Sequence, residues 1–91
     1  MMNEKEFLIG NAGPNEQYVI VSRALGRILM RDEVAEIIGE LGSTARSSPS
    51  DVSIEITPPI PEDKLPKLGE ALVELASSLD PTPPLPTYKI V

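Results

Sequence analysis

The groups able to do chemistry in this chain are carboxylates, backed by lysine, arginine, tyrosine and serine. Histidine and cysteine are absent altogether. That absence removes disulfides, thiolate zinc sites, imidazole bases and the nucleophile–histidine systems. Paired carboxylates remain, and they do acid–base work where an apolar pocket or a close neighbour drives their pKa values apart. Glu33, Glu36 and Glu40 recur at helical spacing, as do Glu70 and Glu74, with no lysine or arginine between them. Like charges so placed repel by a few tenths of a kcal/mol per pair. The simpler reading is a solvated face that keeps the protein soluble. The functional reading is a surface that meets a basic partner and steers its approach. Arg23, Arg27 and Arg31 are the local basic concentration. They form either an anion-binding stripe or, more simply, counter-charges for the glutamates.

Three short motifs carry weaker signals. Gly10-Asn11-Ala12-Gly13 resembles a glycine loop that cradles phosphate, but the lysine and the Ser/Thr of such a loop are missing, so a turn is expected. Asp32-Glu33-Val34-Ala35-Glu36-Ile37-Ile38-Gly39 resembles the first helix of a helix-turn-helix, with Ser43-Thr44-Ala45-Arg46 as the opening of a recognition helix. The following Ser47-Ser48-Pro49-Ser50 works against that second helix. Pro83-Pro84-Leu85-Pro86 is similar to the short ligands of WW domains, since proline-rich chain is preformed for such grooves. Its simpler role is a stiff spacer.

The elements that must position these groups follow from periodicity and punctuation. Glu6–Ile9 and Gln17–Val21 read as an antiparallel strand pair joined by the glycine- and proline-containing turn. Ser22–Arg31 fits a helix capped by Ser22 and also a hairpin turning at Gly26; the helix is favoured. Asp32–Leu41 reads as a helix burying Val34, Ile37, Ile38 and Leu41, with Gly42 as its left-handed C′ residue. Its stripe and that of Leu25, Ile28 and Leu29 would lie on nearly opposite faces of one straight helix, so a break is expected near Met30–Asp32. Ser43–Ser50 is small, polar and unpatterned, and reads as a mobile loop. Val52–Thr57 alternates strictly and is a strand. The leucines at 65, 68, 72, 75 and 79 mark a second helix, with Asp63 as N-cap and Pro66 in the first turn. Residues 81–91 form a proline-rich C-terminal arm whose last residues are β-prone.

The expectation is therefore one α+β domain over residues 1–91, ordered β-β-α-β-α-β. A small sheet of about four strands should carry its helices on one face. A chain of this size buries only about 60–65% of its unfolded surface, and an aliphatic core without staples often leans on a partner subunit. The formal charge of −6 disfavours phosphate-driven nucleic-acid binding. No apolar run is long enough for a membrane span, and no signal peptide is evident, so a cytoplasmic location is expected. No cofactor-binding or metal-ligating set stands out. The leading expectation is a non-catalytic interaction protein, itself oligomeric, of the adaptor or inhibitor type that phage and mobile elements encode. Its partner-binding candidates are Glu33, Glu36, Glu40, Arg23, Arg27, Arg31, Pro83, Pro84, Leu85, Pro86, Tyr88 and Ile90. The C-terminal arm is expected to contribute to assembly, docking on its own sheet or on a neighbour's. The alternatives are a nucleic-acid-associated regulator built on residues 32–46 and a carboxylate-based enzyme or metal binder.

Overall fold

The computed structural model describes residues 5–22, 25, 31–47 and 53–91. Its elements run β1 (Glu6–Gly13), β2 (Glu16–Val21), α1 (Arg31–Glu40), β3 (Thr44–Ser47), β4 (Ser53–Thr57), a 3-10 turn (Glu62–Lys64), α2 (Leu65–Leu79) and β5 (Thr87–Ile90). The strands form one five-stranded sheet in the order β3-β4-β2-β1-β5. Neighbours are antiparallel except β1 and β5, which are parallel. The α+β class and the helices on one face match the expectation, and the sheet has one strand more than expected.

Alternation decides which side of the sheet is buried. Phe7 and Ile9 of β1, Val19 and Val21 of β2 and Ile56 of β4 point to the helices and are buried. They meet Val34 and Ile38 of α1 and Leu65, Leu68, Leu72 and Ala76 of α2. The leucine stripe of α2 thus holds through Leu72, after which Ala76 takes the core position. Leu75 lies roughly 80° from the centre of the buried arc at about 100° per residue, and is half-buried. Leu79 closes the helix and is 40% exposed.

The helix ends show how local sequence sets the turns. Gly42 has φ +88°, as its place after α1 demands. Ser43 N–H donates to Ile38 O (3.2 Å) and Gly42 N–H to Gly39 O (3.0 Å), the paired bonds of a Schellman motif. The N-terminus of α2 departs from expectation. Asp63 lies inside the 3-10 turn, and the capping position falls to Lys64, which offers no side-chain bond. The tighter turn leads the chain into the helix, with Lys64 N–H bonded to Pro61 O at 2.9 Å, so no capping carboxylate is used.

Three further expectations are corrected. Thr44–Ser47, expected as loop, is strand β3, because its backbone pairs in register with β4 from Thr44 opposite Thr57 to Ser47 opposite Ile54. That pairing also removes the recognition helix of the helix-turn-helix reading. Gly10–Gly13, expected as turn, continues β1 through a register shift between Asn11 and Gly13, and the turn shrinks to Pro14–Asn15. The proline arm is not straight, since residues 82–84 bend before β5. The choice between helix and hairpin, with Arg23 and Arg27 and the break near Met30, lies outside the described residues. Leu25 is described and fully buried, and its N–H donates to Ser22 Oγ at 3.4 Å.

One buried polar side chain ties β4, the proline segment and the sheet together. Gln17 is fully buried on the helix side of β2. Its Oε1 accepts from Ile60 N–H (2.9 Å) and its Nε2 donates to Ile60 O (3.1 Å) and Asn11 Oδ1 (3.2 Å). The side-chain amide thus copies a strand's hydrogen bonds for a residue that has no strand partner. Ser43 Oγ adds a bond to Pro58 O at 2.7 Å. Gln17→Met keeps the volume but leaves the buried Ile60 N–H and C=O unpaired. Each such orphan costs about 1–3 kcal/mol, so urea unfolding should show a loss of about 2–6 kcal/mol at unchanged m.

Candidate interaction surfaces

The C-terminal arm docks on its own sheet. Thr87 N–H donates to Lys5 O (2.9 Å) and Val91 N–H to Ile9 O (2.8 Å), which sets β5 against β1. Lys5 secures the approach to β5. It is only 8% exposed, its Nζ donates to Thr82 O at 2.6 Å, and it meets Asp80 Oδ2 at 3.1 Å. Asp80 Oδ1 in turn accepts from Thr82 N–H (3.2 Å) and from the Thr82 hydroxyl, an Asx-type turn that starts the bend. The Thr82 hydroxyl, the Lys5 ammonium and the Thr82 N–H, in that order, hold the Asp80 carboxyl below its ordinary value.

Tyr88 supplies the apolar half of the docking. It faces the helices beside Phe7, its register partner. Its ring lies so close to the backbone of α2 at Gly69 that a Cβ there would overlap Cγ, Cδ2 and Cε2 of the ring. A glycine inside a helix costs about 1 kcal/mol relative to alanine. Here it is the residue that lets the ring reach the helix. A groove of about 400 Å³ runs beside this contact, lined by Glu70, Val73, Glu74, Pro86, Thr87 and Tyr88. Its walls are apolar, and the exposed Glu70 and Glu74 form its lip.

The opposite face of the sheet carries no described helix. Strand register lays out its side chains in rows. Arg46, Glu55, Tyr18 and Gly10 form one row, and Ser53, Ile20, Leu8 and Lys89 form the next. Val91 lies over Gly10, where a Cβ would come within 2.7 Å of its Cγ2. Leu8, Tyr18, Ile20 and Val91 thus surround a shallow depression of about 160 Å³. Ile20 is 45% and Val91 71% exposed. Glu16 first, then burial, then Glu55 raise the Tyr18 phenol above its ordinary pKa, so it stays a neutral hydroxyl on this face.

The candidates named from sequence are dispersed over these surfaces. Glu36 and Glu40 are exposed on α1 and Glu33 is half-buried, while Arg31 opens the same helix. Pro83, Pro84 and Leu85 are exposed in the bend, Pro86 is buried, Tyr88 is half-buried and Ile90 is 43% exposed. Among the described residues no three carboxylates converge as metal ligands. Glu70 and Glu74 do share the groove, one helical turn apart, but both are exposed. Lys5, Gln17 and Gly69 were missed. Gly69 had a signal, a glycine in the middle of an otherwise strong helix. Gln17 showed as a polar residue on the inward side of an alternating strand, and Lys5 gave none. Compared with protein-family models, curated proteins and solved structures, the chain matches none.

Two measurements test the docking. Gly69→Ala should destabilise the intact protein, because displacing the ring outweighs the gain in helix propensity. In a Tyr88→Ala background the same change should become stabilising by about 1 kcal/mol. A double-mutant cycle by urea unfolding gives both signs. Because the folded pKa of Asp80 is depressed, its contribution to stability is fully present above the unfolded carboxylate value of about 3.9. It is lost as pH falls through the lower folded value. Unfolding followed from about pH 6 to about pH 2 should fall less steeply for Asp80→Asn than for the parent.

Proposed function

We propose that this protein acts through protein–protein contacts and self-associates through the open face of its sheet. The carrying observation is the layered asymmetry: helices cover one side, and Leu8, Tyr18, Ile20 and Val91 form an apolar centre on the other. One solvated face is ordinary for a mainly antiparallel sheet, but contiguous exposed apolar side chains on it mark a contact surface.

A second copy suits this face better than an unlike partner, because the face carries both signs of charge. Lys89 lies on β5 at one edge, and Glu55 lies on β4 two strands inward from β1. A two-fold axis running between β1 and β2, along the strands, sets β1 over β2 and β5 over β4. Leu8 of one copy then faces Ile20 of the other and Gly10 faces Tyr18, while Lys89 lies over Ser53, two residues along β4 from Glu55. Each contact is repeated by symmetry, as in an isologous dimer.

The size of the face sets the strength. Five strands about 4.8 Å apart and about five residues long at ~3.4 Å each cover roughly 400 Å² in plan. Side-chain relief enlarges that figure, yet it stays near the small end of specific interfaces, which bury about 800 Å² per partner. The dimer should therefore be reversible, with a dissociation constant of about micromolar order. Sedimentation velocity over a concentration series should show the parent passing from monomer to dimer. Ile20→Lys should keep it monomeric, by placing an unpaired charge at the centre. A parent that stays monomeric up to about 1 mM, where only about 4 kcal/mol of association would be needed, overturns the reading.

A further inference from the structure

From the free edge of β5 and the groove beside it we infer a second binding site, for an extended peptide that presents arginine or lysine around an apolar side chain. The inference deepens the reading of the protein as an interaction module, and it is separable from self-association because it uses the opposite side of the sheet.

The backbone supplies the first part of the argument. Thr87 and Val91 point their N–H groups at β1. Backbone groups alternate along a strand, so Lys89 also faces β1, while the N–H and C=O of Tyr88 and Ile90 face outward from the edge. Among the described residues no strand pairs with β5 on that side. An edge of this kind is a template for an added strand.

The groove supplies specificity. A strand laid along β5 sends alternate side chains to the helix side, where the space of about 400 Å³ opens between α2 and the arm. Val73, Pro86 and Tyr88 offer an apolar pocket there, and the Tyr88 ring is held against the Gly69 backbone as its floor. Glu70 and Glu74 stand at the lip with no basic residue among the lining. The occupant that complements this site has one apolar side chain flanked, on the same face, by cationic ones. A second copy pairing edge to edge is disfavoured, since both α2 helices would lie on the same side of the joined sheet and bring four glutamates of one sign together. That single sign separates this site from the open face, where the charges are mixed.

The test uses the full chain and two capped peptides, Thr-Arg-Thr-Val-Thr-Arg-Thr and its analogue with glutamate in place of arginine. Fluorescence anisotropy should show binding of the first and little of the second, weakening as salt rises. Amide shifts should concentrate at Tyr88 and Ile90. Glu70→Lys with Glu74→Lys should weaken the arginine peptide by about five- to thirtyfold, as two exposed ion pairs imply, and make the glutamate peptide the tighter ligand. Ile90→Pro removes an edge donor that the fold does not use, and should abolish binding with the far-UV spectrum retained. If that variant fails to fold, the charge-swapped protein still decides, because both glutamates are exposed. Equal affinity for the two peptides, or no exchange of preference on charge reversal, overturns the site. A change of molecular mass instead of peptide affinity on charge reversal assigns the edge to a second copy and also overturns it. Loss of self-association in Ile20→Lys with peptide binding intact leaves this site standing.

Discussion

The contact on which most of this structure depends is the one between an aromatic ring and a bare stretch of helix backbone. Tyr88 can lie against α2 only because position 69 has no Cβ. That approach draws β5 under the helix and fixes the floor of the groove. The helix accepts a weaker propensity at Gly69 in return for a packed ring, which brings far more buried apolar area than one alanine methyl. Gln17 plays the matching role where the chain enters α2. Its amide holds Ile60 in place, so the helix enters from a fixed point as well as resting on a fixed ring.

Electrostatics then separates the two sides of the sheet. The acidic residues are not spread evenly. On the groove they stand alone, while on the open face Glu55 has Arg46 as its cross-strand partner and Lys89 at the far edge. A surface of one sign repels its own copy and attracts the opposite charge; a mixed surface tolerates its copy. The negative total charge is therefore less informative than its arrangement.

Legibility in the sequence followed the range of the interactions. Strand β4 and helix α2 were readable because their periodicity is written within a few residues, as were Gly42 after α1 and the proline limit on α2 at Asp80. Strand β3 was not, since Thr44-Ala45-Arg46-Ser47 has no apolar alternation of its own and becomes a strand by pairing with β4. The extension of β1 through Gly13 has the same origin, because β2 supplies the partner that overrides the glycines. Of the candidate surfaces, the row of Glu70 and Glu74 was visible from spacing alone. The groove behind it was not, because it exists only once Tyr88, from the far end of the chain, is in place.

The parallel pairing of the first strand with the last has a kinetic side. Every other strand pair here is antiparallel and closes a shorter stretch of chain. Closing a loop of nearly the whole chain costs about 3 kcal/mol more entropy than closing the β1–β2 hairpin. Pairing of β5 with β1 is therefore expected to follow the β1–β2 hairpin, and the β1 edge stays open until it does. During that interval two folding chains at high concentration can exchange arms, each β5 completing the other's sheet across the bend at 82–84. The same feature that finishes the monomer thus provides a route to a swapped dimer, with the native contacts conserved and only their chain of origin changed.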